Sequence, residues 1–182
     1  LYDGFDDPQA GCPTVAPGLR KVRLVGNTID NSNRGIQVLG GPHRDMEIAG
    51  NSISAFGQAI LVAGAVGCAD PFGGGRLVDD AERVLGLVIR DNALSAGGFG
   101  VIAQHTKNAR ITGNTVQAGT VGIDVVSFSN GSDNGAVHVA NVQGNTVSAG
   151  AAGLVSEYQG APGLRVGGIF AENEVRGDFW GI

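Results

Sequence analysis

An asparagine recurs along the chain with a small residue eight positions after it, and this spacing constrains the fold more than any other feature. An aliphatic or aromatic residue precedes each Asn by three positions, and another aliphatic residue follows it by two. The six pairs are Asn27/Gly35, Asn51/Ala59, Asn92/Gly100, Asn114/Gly122, Asn145/Gly153 and Asn173/Gly181. Self-similarity at a period of roughly 20 to 50 residues is typical of solenoids, so we predict a stack of structural repeats.

The repeat unit is predicted to contain only short strands. Consecutive asparagines are 24, 41, 22, 31 and 28 residues apart, and all variation in length follows the third strand of the unit. Apolar residues alternate with period two between Gly-rich turns, and no segment sustains a helical period. We expect the Asn to adopt the left-handed backbone conformation at a tight corner. Stacked one coil apart, the Asn side chains should hydrogen-bond to one another as an amide ladder.

Four Gly-Asn motifs carry a resemblance to a known family. They are Gly26-Asn27-Thr28-Ile29, Gly50-Asn51-Ser52-Ile53, Gly113-Asn114-Thr115-Val116 and Gly144-Asn145-Thr146-Val147. The chain resembles the right-handed parallel β-helix of the pectate lyase superfamily. The resemblance implies an all-β solenoid of about six coils over residues 19–182, with three short strands per coil and an internal Asn ladder. That fold hosts lyases, hydrolases, epimerases, phage spikes and adhesins, so it leaves the chemistry open.

The ends and the two cysteines give further expectations. Residues 1–18 are predicted to be the end of a preceding coil and its loop, which suggests a segment of a longer chain or ends covered by partners. Cys12 and Cys68 lie in Gly/Pro-rich segments on the same side of the stack. A disulfide between them would suit a secreted or cell-surface protein, and the sequence leaves its formation open.

Composition excludes several classes of protein and of partner. The 32 glycines and 16% charged residues disfavour a helical bundle, and 42% apolar content disfavours disorder. A net charge of -5 gives no electrostatic footprint for nucleic acid. The longest mostly apolar stretch, residues 59–69, is too short to span a bilayer. We therefore predict no nucleic-acid partner and no membrane span.

Side-chain parity assigns the outward residues of the first two strands. On the first strand, Lys21 should face Asp45, and Arg23 should face Glu47, as cross-coil ion pairs. On the second strand the outward side chains are mostly small hydroxyls: Thr28, Ser52, Ser54, Ser95, Thr115, Thr146 and Ser148. This flat face is either a surface that contacts water or sugar, or an ordinary strand exterior.

The outward face of the third strand is unusually apolar. It comprises Gln37, Leu39, Leu61, Ile102, Gln104, Asp124, Val126, Val155 and Glu157. Contiguous aliphatic side chains imply a cover, which could be the insertion at 64–82, another part of the parent chain, or an oligomer interface. In the polysaccharide-acting proteins that the chain resembles, such a face walled by loops forms the substrate groove.

A notch is predicted where the short turn at 104–108 lies between long insertions at 64–82 and 127–137. We expect His105, Lys107 and Asp124 to be the catalytic candidates, with His105 or Lys107 as the base of a polysaccharide lyase. Arg110 could neutralise a uronate, as could calcium held by loop carboxylates. Those loop residues are Asp70, Asp79, Asp80 and Asp133. Substrate contacts are assigned to Gln104, Arg110 and Glu157, and a glycosidase would pair Asp124 with an acidic loop residue.

Two functional hypotheses follow. The first is an extracytoplasmic β-helix that binds or processes polysaccharide, with calcium as a candidate cofactor. The second is a non-catalytic structural or adhesive solenoid, such as a filament segment or phage spike shaft, which forms a homo-oligomer through the apolar third-strand face.

Overall fold

The computed structural model describes residues 18–39, 43–64, 84–128, 137–159 and 165–177. Within these ranges all regular structure is β-strand, in seventeen strands that pair in parallel. Parallel pairing between successive repeats, together with the Asn ladder described below, makes the chain a parallel β-helix, as predicted. None of the described residues forms a helix that is long and apolar enough to cross a membrane.

The first strands of the six coils form one parallel sheet. They are β1 (Arg23–Val25), β3 (Glu47–Ala49), β6 (Val88–Arg90), β10 (Ala109–Thr112), β13 (Val137–Gln143) and β16 (Arg165–Ala171), in this spatial order. Two shorter strands, β5 (Val84–Leu85) and β9 (Thr106–Lys107), pair with each other at the corner that precedes this sheet.

The second and third strands of the coils form a larger sheet. In the first two coils they are continuous, as β2 (Thr28–Leu39) and β4 (Ser52–Ala63). In later coils small residues separate them: β7 (Ala93–Ala96) from β8 (Phe99–Gln104), β11 (Thr115–Ala118) from β12 (Val121–Phe128), and β14 (Thr146–Ala149) from β15 (Ala152–Gln159), with β17 (Glu174–Gly177) in the last coil. The second and third strands are therefore separate elements only in the later coils, and not at the N-terminal end of the stack.

The core consists of the inward columns that the sequence pattern predicted. Residues three before the Asn are stacked by register, as in Leu24↔Ile48↔Ile89, and the central members have no solvent exposure. The column two after the Asn and the column after the small residue are likewise buried in the central coils, for example at Val116 and Ile123. Each coil thus buries its apolar side chains only against the coils next to it.

The Asn ladder is present and continuous. Successive side chains donate from Nδ2 to the next Oδ1 along Asn27, Asn51, Asn92, Asn114, Asn145 and Asn173, at 2.8–2.9 Å. Each receiving Oδ1 also accepts the backbone N–H of the preceding Asn. The second Nδ2 hydrogen is donated to a backbone carbonyl of the preceding coil, as from Asn92 to Ile48. The carboxamides of the central asparagines, which are at most 2% exposed, are therefore satisfied.

The prediction that the Asn itself adopts the left-handed conformation is wrong. The residue before it does so: φ is between 61° and 69° at the four glycines of the Gly-Asn motifs, and 55° at Asp91 and at Glu172. Gly suits this position because it has no Cβ to strain the left-handed backbone. The Asn is selected for its carboxamide and keeps a negative φ.

The residue eight positions after the Asn is small because the next coil approaches its backbone closely. A Cβ on Gly100 would collide with Cγ1 of Val116 and lie 2.5 Å from the carbonyl oxygen of Gly122. Gly122 has the same relationship to Val147 and to the carbonyl of Gly153. The glycine therefore lets the third strand pass directly over the inward side chain of the second strand.

Candidate functional site

His105 is buried, which corrects its predicted place at the base of an open notch. Its side chain has no solvent exposure. The backbone has φ of 50°, its N–H donates to the carbonyl of Val126 (3.1 Å), and its carbonyl accepts from Val84 (3.1 Å). A left-handed residue interrupts the alternation of side chains along a strand, so strand parity could not predict the direction of the imidazole.

Asp124 is also buried, although it has the outward parity that was predicted. It lies on β12 in register with Ile102 and Val155, and only 8% of its surface is exposed. Ile102 and Val126 on the same face are buried as well. A cover over this apolar face was one of the expectations, and the burial of these side chains agrees with it. The expectation that they form the floor of a solvent-open substrate groove is wrong for these positions. The insertion proposed as the cover lies, apart from Gly64, outside the described residues.

Arg110 and Lys107 do not join Asp124 on one surface. Arg110 is exposed on β10, in the sheet of first strands, while Asp124 belongs to the larger sheet. Lys107 is half-buried on β9, where it pairs in register with Leu85. The base, the neutralising cation and the carboxylate that were expected around one notch therefore lie on three strands of three different sheets.

Gln104 and Glu157 occupy one row of the third-strand face. Gln104 is half-buried, and the register runs Gln104↔Val126↔Glu157 across β8, β12 and β15. The side chain of Glu157 lies outside the part of the chain that is described, as do Cys12, Cys68 and the loop carboxylates at 70, 79, 80 and 133. Among the described residues no group of three or more His, Cys, Asp or Glu side chains could hold a metal ion.

The most regular exposed surface is the outward face of the second strands, here called the second-strand face. It consists of two rows that run parallel to the stack. The first row is Thr28, Ser52, Ala93, Thr115, Thr146 and Glu174, and the second is Asp30, Ser54, Ser95, Gln117, Ser148 and Arg176. All twelve residues are exposed, at the roughly 4.8 Å spacing of neighbouring strands. The predicted hydroxyl-rich face is therefore confirmed, with Gln117 as an additional polar member.

Phe56 adds an aromatic ring to the second-strand face. It follows Ser52 and Ser54 with the same parity on β4, and it is 70% exposed. The next coil carries Gly97 beneath it, because a Cβ there would collide with the carbonyl oxygen of Phe56. At the other end of the face, a shallow depression of about 270 Å³ is lined by Thr146, Ser148, Glu174 and Arg176, with Val147 below.

A charge cluster lies on the outward face of the first strands. Glu47 accepts from Arg90 (2.7 Å) and from Arg23 (2.6 Å), and Arg90 also contacts Asp91 (2.7 Å). The hydrogen bonds from Arg90 and then Arg23 hold the pKa of Glu47 below its ordinary value, and they raise the pKa of Arg90. The predicted pair of Arg23 with Glu47 is confirmed. Lys21 and Asp45 form no salt bridge, since both have left-handed backbones that redirect their side chains.

Arg90 was missed by the sequence reasoning, although a signal was available. Arg90 lies two residues before Asn92 and has outward parity. On the neighbouring strand it is diagonal to Glu47, since Glu47 is opposite Val88, and a long side chain can span that diagonal.

Comparisons with protein-family models, with curated proteins and with solved structures found no match for this chain.

Proposed function

We propose that this chain is a β-helix protein, secreted or at the cell surface, that binds polysaccharide along its second-strand face. The observation that carries the proposal is two parallel rows of exposed side chains, polar except for Ala93, that run across six coils with Phe56 beside them.

The chemistry of the second-strand face suits sugars. Hydroxyl and carboxamide groups both donate and accept hydrogen bonds, which matches the hydroxyls of a glycan chain. An exposed phenyl ring offers an apolar surface for the C–H face of a pyranose ring. The rows extend along the stack, so an extended polymer contacts several coils at once and gains from many individually weak contacts.

The central part of the second-strand face carries no charge. Its charged members are Asp30 in the first coil and Glu174 and Arg176 in the last. Because an acidic glycan would need cations along its length, this distribution favours a neutral polysaccharide.

Cleavage of an acidic glycan by His105, Lys107 and Asp124 stays a prediction. A catalytic base must reach its substrate proton at hydrogen-bond distance, and His105 and Asp124 are buried in this structure. Their burial favours binding over catalysis. A structural solenoid is the second candidate, and the exposure of Val25 and Asn27 at the edge of the first coil favours it.

The test is a binding measurement on matched variants. Neutral and acidic polysaccharides are titrated into the chain, with Phe56→Ala plus Gln117→Ala as the test variant and Thr112→Ala, on the outward face of the first strands, as the control. We expect the double variant to bind about tenfold more weakly or worse, with an unchanged melting temperature, and the control to bind as the parent does. Absence of binding to every polysaccharide, or equal weakening in the control, would overturn the proposal.

A further inference from the structure

The Asn ladder has a direction, and its two ends are chemically complementary. Within the ladder every Oδ1 accepts from the Asn of the preceding coil, so the donors point one way along the stack. Among the described residues, Oδ1 of Asn27 accepts no hydrogen bond. At the other end the backbone N–H of Asn173 and one Nδ2 hydrogen have no acceptor in the described structure, because its only bond as a donor goes to Val142. One end therefore offers an acceptor where the other offers two donors.

Both coil edges are accessible. Asn27 is exposed while the central ladder members are at most 2% exposed, and Val25 on β1 is 45% exposed. Leu24 and Ile29 at one end, and Phe170 and Val175 at the other, are only partly buried, although they belong to the inward columns. In the described structure β1 pairs only with β3, and β16 only with β13. Each edge thus presents unpaired backbone groups and part of the core.

We propose that copies of this chain stack head to tail, with the last coil of one copy on the first coil of the next, as one continuous β-helix. Continuing the internal register places Asn173 of one copy before Asn27 of the next. That joint would form three ladder bonds: two from Asn173 to Oδ1 of Asn27, and one from Nδ2 of Asn27 to the carbonyl of Phe170. These are the same three bonds that join the first two coils inside the chain: two from Asn27 to Oδ1 of Asn51, and one from Nδ2 of Asn51 to the carbonyl of Leu24.

The side chains at this joint also match. Phe170 would stack on Leu24 and Val175 on Ile29, which continues two inward columns and buries apolar surface at both ends. On the outward face, Arg176 would lie beside Asp30, and both are exposed in the single chain. An opposite-charge pair across neighbouring strands favours this register over a shifted one.

A symmetric, head-to-head dimer is disfavoured by the same geometry. It would oppose two Oδ1 acceptors of Asn27 and turn parallel pairing into antiparallel pairing. A head-to-tail contact joins two different surfaces, so it forms a ring only if the rotation between successive copies closes a circle. Copies stacked along a straight solenoid axis form an open chain instead. The expected product is therefore a series of growing oligomers.

The experiment uses the full chain and two variants that each block one end. Val25→Pro blocks the head: its neighbours Leu24 and Gly26 direct their backbone groups to the second coil, so the N–H of Val25 faces the open edge. Asn173→Asp blocks the tail, because the carboxylate retains the acceptor for Asn145 but replaces the Nδ2 donor with an oxygen that repels Oδ1 of Asn27. Melting temperatures check that each variant remains folded.

Sedimentation velocity from low to high micromolar concentration gives the outcome. The parent chain should grow in mass with concentration, and each variant should associate at least about tenfold more weakly. An equimolar mixture of the two variants should form a dimer through the intact tail of the Val25→Pro chain and the intact head of the Asn173→Asp chain. This dimer should grow no further, because both of its outer ends are blocked. A parent chain that stays monomeric over this concentration range would overturn the proposal. A parent dimer that does not grow would also overturn it, in favour of a symmetric contact.

Discussion

The carboxamide oxygen of Asn114 accepts two hydrogen bonds from Asn92, one from the side-chain nitrogen at 2.8 Å and one from the backbone N–H at 3.0 Å. Both residues are at most 2% exposed. A single buried oxygen therefore fixes both the position of the neighbouring coil's backbone and the orientation of its side chain. The repeat of this relationship along the stack explains why Asn is needed at this position rather than any small polar residue.

Removal of a central ladder member should be strongly destabilising. Asn92→Ala leaves the backbone N–H and one Nδ2 hydrogen of Asn51 buried without an acceptor, at about 1–3 kcal/mol for each, while Oδ1 of Asn114 keeps its bond from the backbone N–H of residue 92. Asn27→Ala, at the exposed end of the ladder, should cost much less. Urea denaturation monitored by circular dichroism compares the two. Similar losses would show that the ladder does not carry the stability assigned to it.

The side-chain register predicts different effects on stability for two nearby substitutions to Asp. Ile111→Asp buries an unpaired carboxylate at a position with no solvent exposure, and we expect a loss of about 4 kcal/mol or more in the free energy of unfolding. Thr115→Asp lies on the exposed second-strand face and should change stability little. Equal melting temperatures of the two variants would contradict the register.

Gly100→Ala tests the close approach of the third strand. The new Cβ meets Val116 and the backbone of the next coil, neither of which can rotate away, so we expect a loss of about 1–3 kcal/mol. Gly26→Ala is the matched control: it adds a Cβ in open space and incurs only left-handed strain of about 1–2 kcal/mol. Because these ranges overlap, the discriminating measurement is a double-mutant cycle with Val116→Ala: Gly100→Ala should cost less in the Val116→Ala background than in the parent chain, whereas Gly26→Ala should cost the same in both.

The charge cluster around Glu47 predicts a dependence of stability on pH. The folded state lowers the pKa of this carboxyl group through Arg90 and Arg23, so folding favours its ionised form. The resulting stabilisation is fully present above the unfolded pKa of about 4.3 and is lost as the pH falls through the lowered folded value. Glu47→Gln should therefore lower the melting temperature near neutral pH, and the difference from the parent should shrink in acid. A difference that is constant from neutral pH into acid would rule out the ion pairs as its cause.

The sequence by itself determined the parallel β-helix, the number of coils, the six members of the ladder and the inward columns. Each of these depends on a contact between a residue and its copy in the next coil, so a repeat in the sequence is at the same time a map of the contacts. The exposed second-strand face could be predicted for the same reason, since the parity of Thr115 and Ser148 follows from that of Val116 and Val147.

Tertiary structure decided what lies over each face and how corners direct their side chains. Parity shows that Asp124 points outward, but it does not show whether a side chain on that face is covered, and Asp124 is 8% exposed. His105 is buried, and its left-handed backbone breaks the alternation on which parity rests. Arg90 bridges to Glu47 from 43 residues away, through a diagonal contact that differs from coil to coil. The fold could be predicted because it is made of repeated local contacts, whereas the candidate site depended on contacts that occur once.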